Sequence, residues 1–195
     1  MSVGRKIVAI ASSTGGPSAL QDFIPLLPPN LNAPVVLVQH MPAGFTQALA
    51  KRLDEVSPIK VCEARDGEQI FKSQVYLAPG GRHMKVVPFS AGYRIKLSDE
   101  PPREGVRPCA NYMYESLIES SFDEIICVVL TGMGADGTAG INNLKENKNV
   151  KVFVQSEESC VVFGMPKAAI KAGLAEEGYN LKKLAEKVIE NVGVI

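Results

Sequence analysis

Lys6-Ile7-Val8-Ala9-Ile10-Ala11, running into Ser12-Ser13-Thr14-Gly15-Gly16-Pro17, is the stretch on which the fold turns. Its apolar residues are continuous rather than alternating. A strand of that kind is buried on both faces, as in a parallel sheet covered by helices. The glycine pair and Pro17 then punctuate the chain. Ser18–Leu27 reads as a short helix broken around Pro25.

The same unit recurs along the sequence. Val35–Gln39 is a second buried strand. Phe45, Ala48, Leu49, Leu53 and Val56 follow at helical spacing, on one face of a helix. Ile59–Cys62 reads as a third short strand. The middle of the chain differs: Val75–Ala78, Met84–Phe89 and Tyr93–Leu97 are short β-like runs, and Ala91-Gly92 suggests a hairpin. Asp99–Pro108 reads as a surface loop, and Asn111–Ser120 as a helix. Alternation resumes with the apolar strand Ile125–Leu130, a helix near Thr138–Glu146, a strand at Val152–Gln155 and a helix from Pro166. The last helix keeps Leu181, Leu184, Ala185, Val188 and Ile189 on one side. Strands alternating with helices in this way imply an α/β fold with a mostly parallel sheet covered on both faces. No repeat, low-complexity tract or linker interrupts it, so the expectation is one domain over residues 1–195.

Composition removes several function classes. The chain has 195 residues, with 21 Lys+Arg against 21 Asp+Glu. A zero formal charge argues against broad nucleic-acid binding, which needs a basic surface. Hydrophobic residues make up 46%, enough to offset the entropy of ordering the chain. No apolar run reaches the roughly 18 residues of a membrane span. The start, Met1 to Ala11, lacks the pattern of a secretory signal. Cys62, Cys109, Cys127 and Cys160 are scattered and form no C-x-x-C pair, so reduced thiols in a cytoplasmic protein are expected. Only two histidines are present and neither lies near a cysteine in sequence, so no metal site is expected.

In a doubly wound sheet, function collects at the carboxyl ends of the strands. Three ends stand out: the Ser13 turn, Gln39-His40-Met41-Pro42, and Thr131-Gly132-Met133-Gly134-Ala135-Asp136-Gly137. They place a serine, a histidine and an aspartate on one edge. A serine hydroxyl attacks only when a base takes its proton. Histidine is the natural base, and an aspartate on its far nitrogen fixes the tautomer. Ser13, His40 and Asp136 supply all three. Each also has a plainer reading. Ser13 could cap the following helix, His40 could be a hydrogen-bonded loop residue, and Asp136 could cap the helix after Gly137. His83 reads as structural or as part of a rim. A second functional pattern overlaps the third end: Gly132 to Gly137 is literally G-x-G-x-x-G between a strand and a helix, with Glu157 further on, the arrangement of a dinucleotide site.

Taken together, Ala11-Ser12-Ser13-Thr14-Gly15-Gly16-Pro17, Gln39-His40-Met41-Pro42-Ala43-Gly44-Phe45-Thr46 and Leu130-Thr131-Gly132-Met133-Gly134-Ala135-Asp136-Gly137 resemble the catalytic domain of the chemotaxis receptor methylesterases, the CheB family. Tyr76-Leu77-Ala78-Pro79-Gly80, Arg82-His83-Met84 and Ser159-Cys160-Val161-Val162-Phe163-Gly164-Met165-Pro166 extend the resemblance over nearly the whole chain. It implies a three-layer αβα fold and a cytoplasmic enzyme. The reaction implied is hydrolysis of γ-glutamyl methyl esters on the helical signalling region of chemoreceptors, with methanol released, and deamidation of receptor glutamines by many members. It implies Ser13 as nucleophile, His40 as base and Asp136 as orienting acid, with no cofactor, metal or membrane insertion. Thr14, Gly15, Met133 and Gly134 become the candidates for oxyanion stabilisation and the pocket. Receptors are the implied partners. So is a receiver domain that full-length members carry N-terminally, and which is not expected within this chain.

Two stretches depart from the family pattern. Ala11-Ser12 stands where Gly-Ala is usual, and strand alternation is expected to turn Ser12 away from the site. Arg107-Pro108-Cys109-Ala110-Asn111 stands where Arg-Pro-Ser-Val-Asp is common. If that loop lines the receptor groove, substrate choice differs here.

Overall fold

The computed structural model describes residues 5–195. Residues 1–4, which begin both the expected domain and the stretch read for a secretory signal, lie outside the described residues. Seven strands form one sheet in which every pairing is parallel: β1 (Lys6–Ser12), β2 (Val35–Gln39), β3 (Lys60–Glu63), β4 (Gln74–Leu77), β7 (Glu124–Val129), β8 (Val150–Gln155) and β9 (Gly178–Tyr179). Their order is β3-β4-β2-β1-β7-β8-β9, so β1 lies at the centre. Between β4 and β7 the chain leaves the sheet to make the antiparallel pair β5 (His83–Phe89) and β6 (Gly92–Ser98).

Why β1 carries no polar alternation is visible in its packing. Val8 and Ile10 face one core, with Leu20 and Phe23 of α1 (Gly16–Phe23), Leu49 and Leu53 of α2 (Phe45–Val56), and Leu184 and Val188 of α6 (Leu181–Val192). Ile7, Ala9 and Ala11 face the other. There they meet Met113 and Tyr114 of α3 (Ala110–Ser116), Ile141 and Leu144 of α4 (Thr138–Asn147), and Met165 and Ala169 of α5 (Met165–Lys171). Both sets are fully removed from water or nearly so. Each large aliphatic side chain among them contributes about 1.5–3 kcal/mol by burial, which is why nothing polar stands between Lys6 at the strand's entry and Ser12 at its end.

Small differences from the sequence reading have local causes. The first helix is complete at Phe23, and Ile24–Leu26 continues as a 3-10 turn, because Pro25 has no N–H to donate to a helical ladder. The helix expected to reach Ser120 ends at Ser116. Beyond it the amides of Leu117, Ile118 and Ser120 bond three residues back, at 3.0, 3.1 and 3.1 Å, a tightened turn rather than a further α turn. In the hairpin the loop is Ser90-Ala91, and Gly92 already pairs with Phe89. Two-residue β9 was not expected, being too short to show a period. All four cysteines are free. Among the described residues no helix is long and apolar enough to cross a membrane.

Candidate active site

The loops after β1, β2 and β7 leave from three adjacent strands. The first runs to α1 on one face of the sheet and the last to α4 on the opposite face, so they diverge and open a crevice at a topological switch point. A cavity of about 230 Å³ fills that crevice, and Ser13, His40 and Asp136 all line it. Thr14, Met133 and Gly134 share its wall. Gly15 does not. It turns at φ +80° behind the wall, where a Cβ would stand 2.5 Å from Val161 Cβ.

Asp136 is the most heavily bonded side chain of the site. It is 4% exposed and its carboxylate accepts four hydrogen bonds. Oδ2 takes His40 Nε2 at 2.7 Å and the Ala110 N–H at 2.7 Å. Oδ1 takes the Asn111 N–H and the Cys109 thiol, each at 3.0 Å. Burial alone would raise its pKa, but the hydrogen bonds from His40, Ala110 and Cys109 and the His40 charge together hold it below the ordinary carboxylate value. The group is therefore an acceptor only, so His40 Nε2 must be the donor. That leaves Nδ1 of the neutral ring with a lone pair. Among the described residues Ser13 Oγ has no hydrogen-bond partner. Hydroxyl and imidazole share the cavity without being bonded to each other.

Asp136 does cap a helix, but not the one that follows it. Its acceptors meet the first amides of α3, while Asn111 Oδ1 accepts the Gly137 and Gly140 N–H groups at 3.0 and 2.7 Å at the start of α4. This exchange of caps also disposes of the dinucleotide pattern. Two amides at the helix start, those of Gly137 and Gly140, are already taken by Asn111, and the Asp136 carboxylate sits in the turn, where its charge repels a pyrophosphate. Gly132 serves packing instead: a Cβ there would come within 2.4 Å of Met165 Sδ and 2.7 Å of Ser13 Cβ. Glu157 lies exposed in the 3-10 turn Glu157–Ser159.

Two buried side chains tie the loops together, and the sequence reading missed both. Gln39 ends β2 at 1% exposure. Its Oε1 accepts the Ser12 hydroxyl at 2.6 Å. Its Nε2 donates to the carbonyls of Ser13 at 2.9 Å and His40 at 3.2 Å. One amide thus joins the serine turn to the histidine turn, and Ser12 is turned into it, away from the cavity. Gly16 permits this, since a Cβ would stand 1.9 Å from Gln39 Oε1. Thr131 does the same between β1 and the Val162 segment: its hydroxyl donates to Thr14 O at 2.9 Å and accepts the Val162 N–H at 3.0 Å. With their backbones held this way, the N–H groups of Thr14 and Met133 have no hydrogen-bond partner among the described residues. Both residues line the cavity, and unpaired amides beside it suit a developing oxyanion.

The Asp99–Pro108 loop supplies the remaining wall. Arg103 and Val106 exchange backbone hydrogen bonds at 3.2 and 3.1 Å around Glu104 and Gly105, both at positive φ (55° and 77°). This tight turn brings Glu104 and Val106 to the cavity. Residues 109–111 do not line a groove. Cys109, Ala110 and Asn111 are fully buried beneath Asp136. His83 is structural, as expected: its Nδ1 accepts the Cys109 N–H at 3.1 Å and its Nε2 meets Pro101 O at 3.1 Å.

Comparison with known proteins places this geometry in a family. The model of the CheB methylesterase family matches residues 8–188. A protein-glutamate methylesterase/protein-glutamine glutaminase of Bacillus subtilis is 49% identical over 185 residues, covering 95% of this chain and 52% of its own length. The protein of that name from Geobacillus kaustophilus is 46% identical, covering 97% of this chain and 54% of its own length. The chain thus spans about half the length of the curated relatives it matches. The crystal structure of the Thermotoga maritima CheB methylesterase catalytic domain superposes with a TM-score of 0.91 at 43% identity, covering 96% of this chain and 99% of that one. Sequence and fold agree over nearly every described residue: this chain belongs to the CheB methylesterase family.

Proposed function

We propose that the chain is the catalytic unit of an ester hydrolase that removes methyl groups from γ-glutamyl methyl esters on the cytoplasmic helices of chemoreceptors, releasing methanol. The names of the relatives support a second outlet of the same site, deamidation of receptor glutamines. One observation carries the reading. A buried carboxylate of lowered pKa fixes the proton of His40 on Nε2 at 2.7 Å, and Ser13 lines the same cavity as His40, whose Nδ1 has no hydrogen-bond partner among the described residues.

The steps follow from that tautomer. His40 Nδ1 takes the Ser13 proton as Oγ attacks the ester carbonyl carbon. The resulting imidazolium keeps its Nε2–H on Asp136, whose charge stabilises it. The carbonyl oxygen, now an oxyanion, accepts hydrogen bonds from the unpaired amides of Thr14 and Met133. Collapse breaks the bond to the methoxy oxygen, which leaves with the Nδ1 proton as methanol. Water then enters and gives a proton to Nδ1 as its oxygen attacks the acyl carbon; the bond to Ser13 Oγ breaks, Nδ1 returns that proton to Oγ, and the glutamate side chain leaves as the acid, which ionises to the carboxylate. With a glutamine substrate the leaving group is ammonia and the other steps are unchanged.

A methanol-release assay on methylated receptor tests this directly. The unaltered chain releases methanol. Ser13→Ala, which keeps the cavity and its walls, loses turnover by about 10³-fold or more while still binding receptor. Turnover by Ser13→Ala near that of the unaltered chain refutes the serine mechanism. Receptor binding without any methanol release by the unaltered chain would instead make this a docking module.

A further inference from the structure

Cys109 holds a position that the reaction scheme leaves idle. Its thiol is fully buried and touches neither the cavity nor solvent. Yet it lies 3.0 Å from Asp136 Oδ1, on the oxygen opposite the one that holds His40. Its backbone is anchored in turn, because His83 Nδ1 accepts the Cys109 N–H while His83 is held on Pro101 O.

We infer that Cys109 is a positioning residue for the esterase reaction: its S–H donation to Oδ1, together with the Asn111 N–H, holds the Asp136 carboxylate so that Oδ2 stays aimed at His40 Nε2.

Geometry supports the assignment from three sides. Among the described residues the carboxylate carries two donors on each oxygen, and the thiol is the only side-chain donor on Oδ1. The two backbone donors, from the first turn of α3, fix one contact on each oxygen. The thiol of the preceding residue adds the second contact on Oδ1, opposite the His40 contact on Oδ2, so that rotating the carboxylate away from His40 costs a further hydrogen bond. Burial and the neighbouring Asp136 charge push the thiol up to about 12, so it stays protonated and can only donate at working pH. The ionisable groups around Asp136 are few. His40 approaches from β2's loop, Cys109 from the turn into α3, and the buried Tyr114 from α3 itself. Glu104 is one step removed, bonded to Asn111 Nδ2 at 2.7 Å, and Arg103 is engaged by Glu115. His40 is the one potential cation among them to bond the carboxylate directly, so loss of the thiol donor is not made good by another side chain.

The inference rests on the serine mechanism, and its test separates the two. Cys109→Ser and Cys109→Ala have nearly equal volumes and differ in the donor. Expected for Cys109→Ala is a kcat lower by about tenfold with KM unchanged, because the residue does not touch substrate. Titration of Asp136, followed by carboxyl carbon NMR, moves upward in Cys109→Ala because a hydrogen bond to the charged form is gone. Cys109→Ser returns kcat to within about threefold of the unaltered chain and returns the titration. If Cys109→Ala does not fold, Cys109→Val fills the space without a donor and takes its place. Equal losses in the donor and non-donor variants, or an unmoved Asp136 titration, overturn the assignment and leave Cys109 a packing residue. The titration needs no turnover, so it decides the role of Cys109 even if Ser13→Ala proves active.

Discussion

Replacing Asp136 by asparagine changes one atom and sets a problem the site cannot solve. The carboxylate accepts two donors on each oxygen. An amide offers one oxygen and one NH₂, so one pair of donors must face another donor. With NH₂ in the Oδ2 place, the Ala110 N–H loses its acceptor and His40 must present a lone pair at Nε2. Its proton then moves to Nδ1, the nitrogen that has to receive the Ser13 proton, and the base is lost. With NH₂ in the Oδ1 place, the Asn111 N–H is stranded, while His40 keeps its tautomer but loses the charge that stabilises imidazolium. Either way one buried backbone donor is orphaned, at about 1–3 kcal/mol. The first arrangement predicts a fall in kcat of about 10⁴-fold, the size found when a serine protease triad suffers the same exchange. The second predicts a fall of about 10²–10³-fold through the lost charge. Methanol release at neutral pH measures the rate, and urea unfolding followed by circular dichroism measures the stability. A variant within tenfold of the unaltered rate would refute the orienting role of Asp136.

Two further outcomes follow from the same contacts. Gln39→Leu leaves the Ser12 hydroxyl and the inner contacts of the Ser13 and His40 carbonyls unmade, so unfolding stability falls by about 2–3 kcal/mol and kcat falls while receptor affinity is kept; a variant as stable and active as the unaltered chain would show that the clamp is idle. Acid unfolding is the other: because the folded-state pKa of Asp136 is depressed, its contribution is present above the unfolded carboxylate value of about 4 and is lost as pH falls through the folded value. The urea midpoint of the unaltered chain should therefore drop on acidification more steeply than that of Asp136→Asn, and parallel curves would count against the assignment.

The sequence carried the frame of this molecule more fully than its joints. Strands such as Lys6–Ser12 and Glu124–Val129 announce themselves because burial on both faces confines polar residues to their ends. Ser13, His40 and Asp136 are visible because each follows such a strand among glycines and prolines. Gln39, Thr131 and Asn111 are not, since a polar residue at a strand end or in a first helical turn looks the same whether it is solvated or locked inside. The contacts by which they join one loop to another reach partners 26 to 117 positions away, and no local pattern reports such pairings. The plainer alternative for Asp136, a cap for its own helix, fails for the same reason: the helix it caps, α3, begins 26 positions earlier.

The hairpin excursion between β4 and β7 returns through a single strip of chain with two duties. Its outer half, around Glu104 and Val106, is a wall of the cavity, and its inner half, Cys109 to Asn111, is the bed of the acid. An engineer seeking a new specificity by grafting loops from a homologue has a seam to respect. Exchange up to Val106 alters what the enzyme recognises, whereas a graft carried four residues further exports a foreign foundation into the chemistry. Recognition can drift only as far as that seam before catalysis drifts with it.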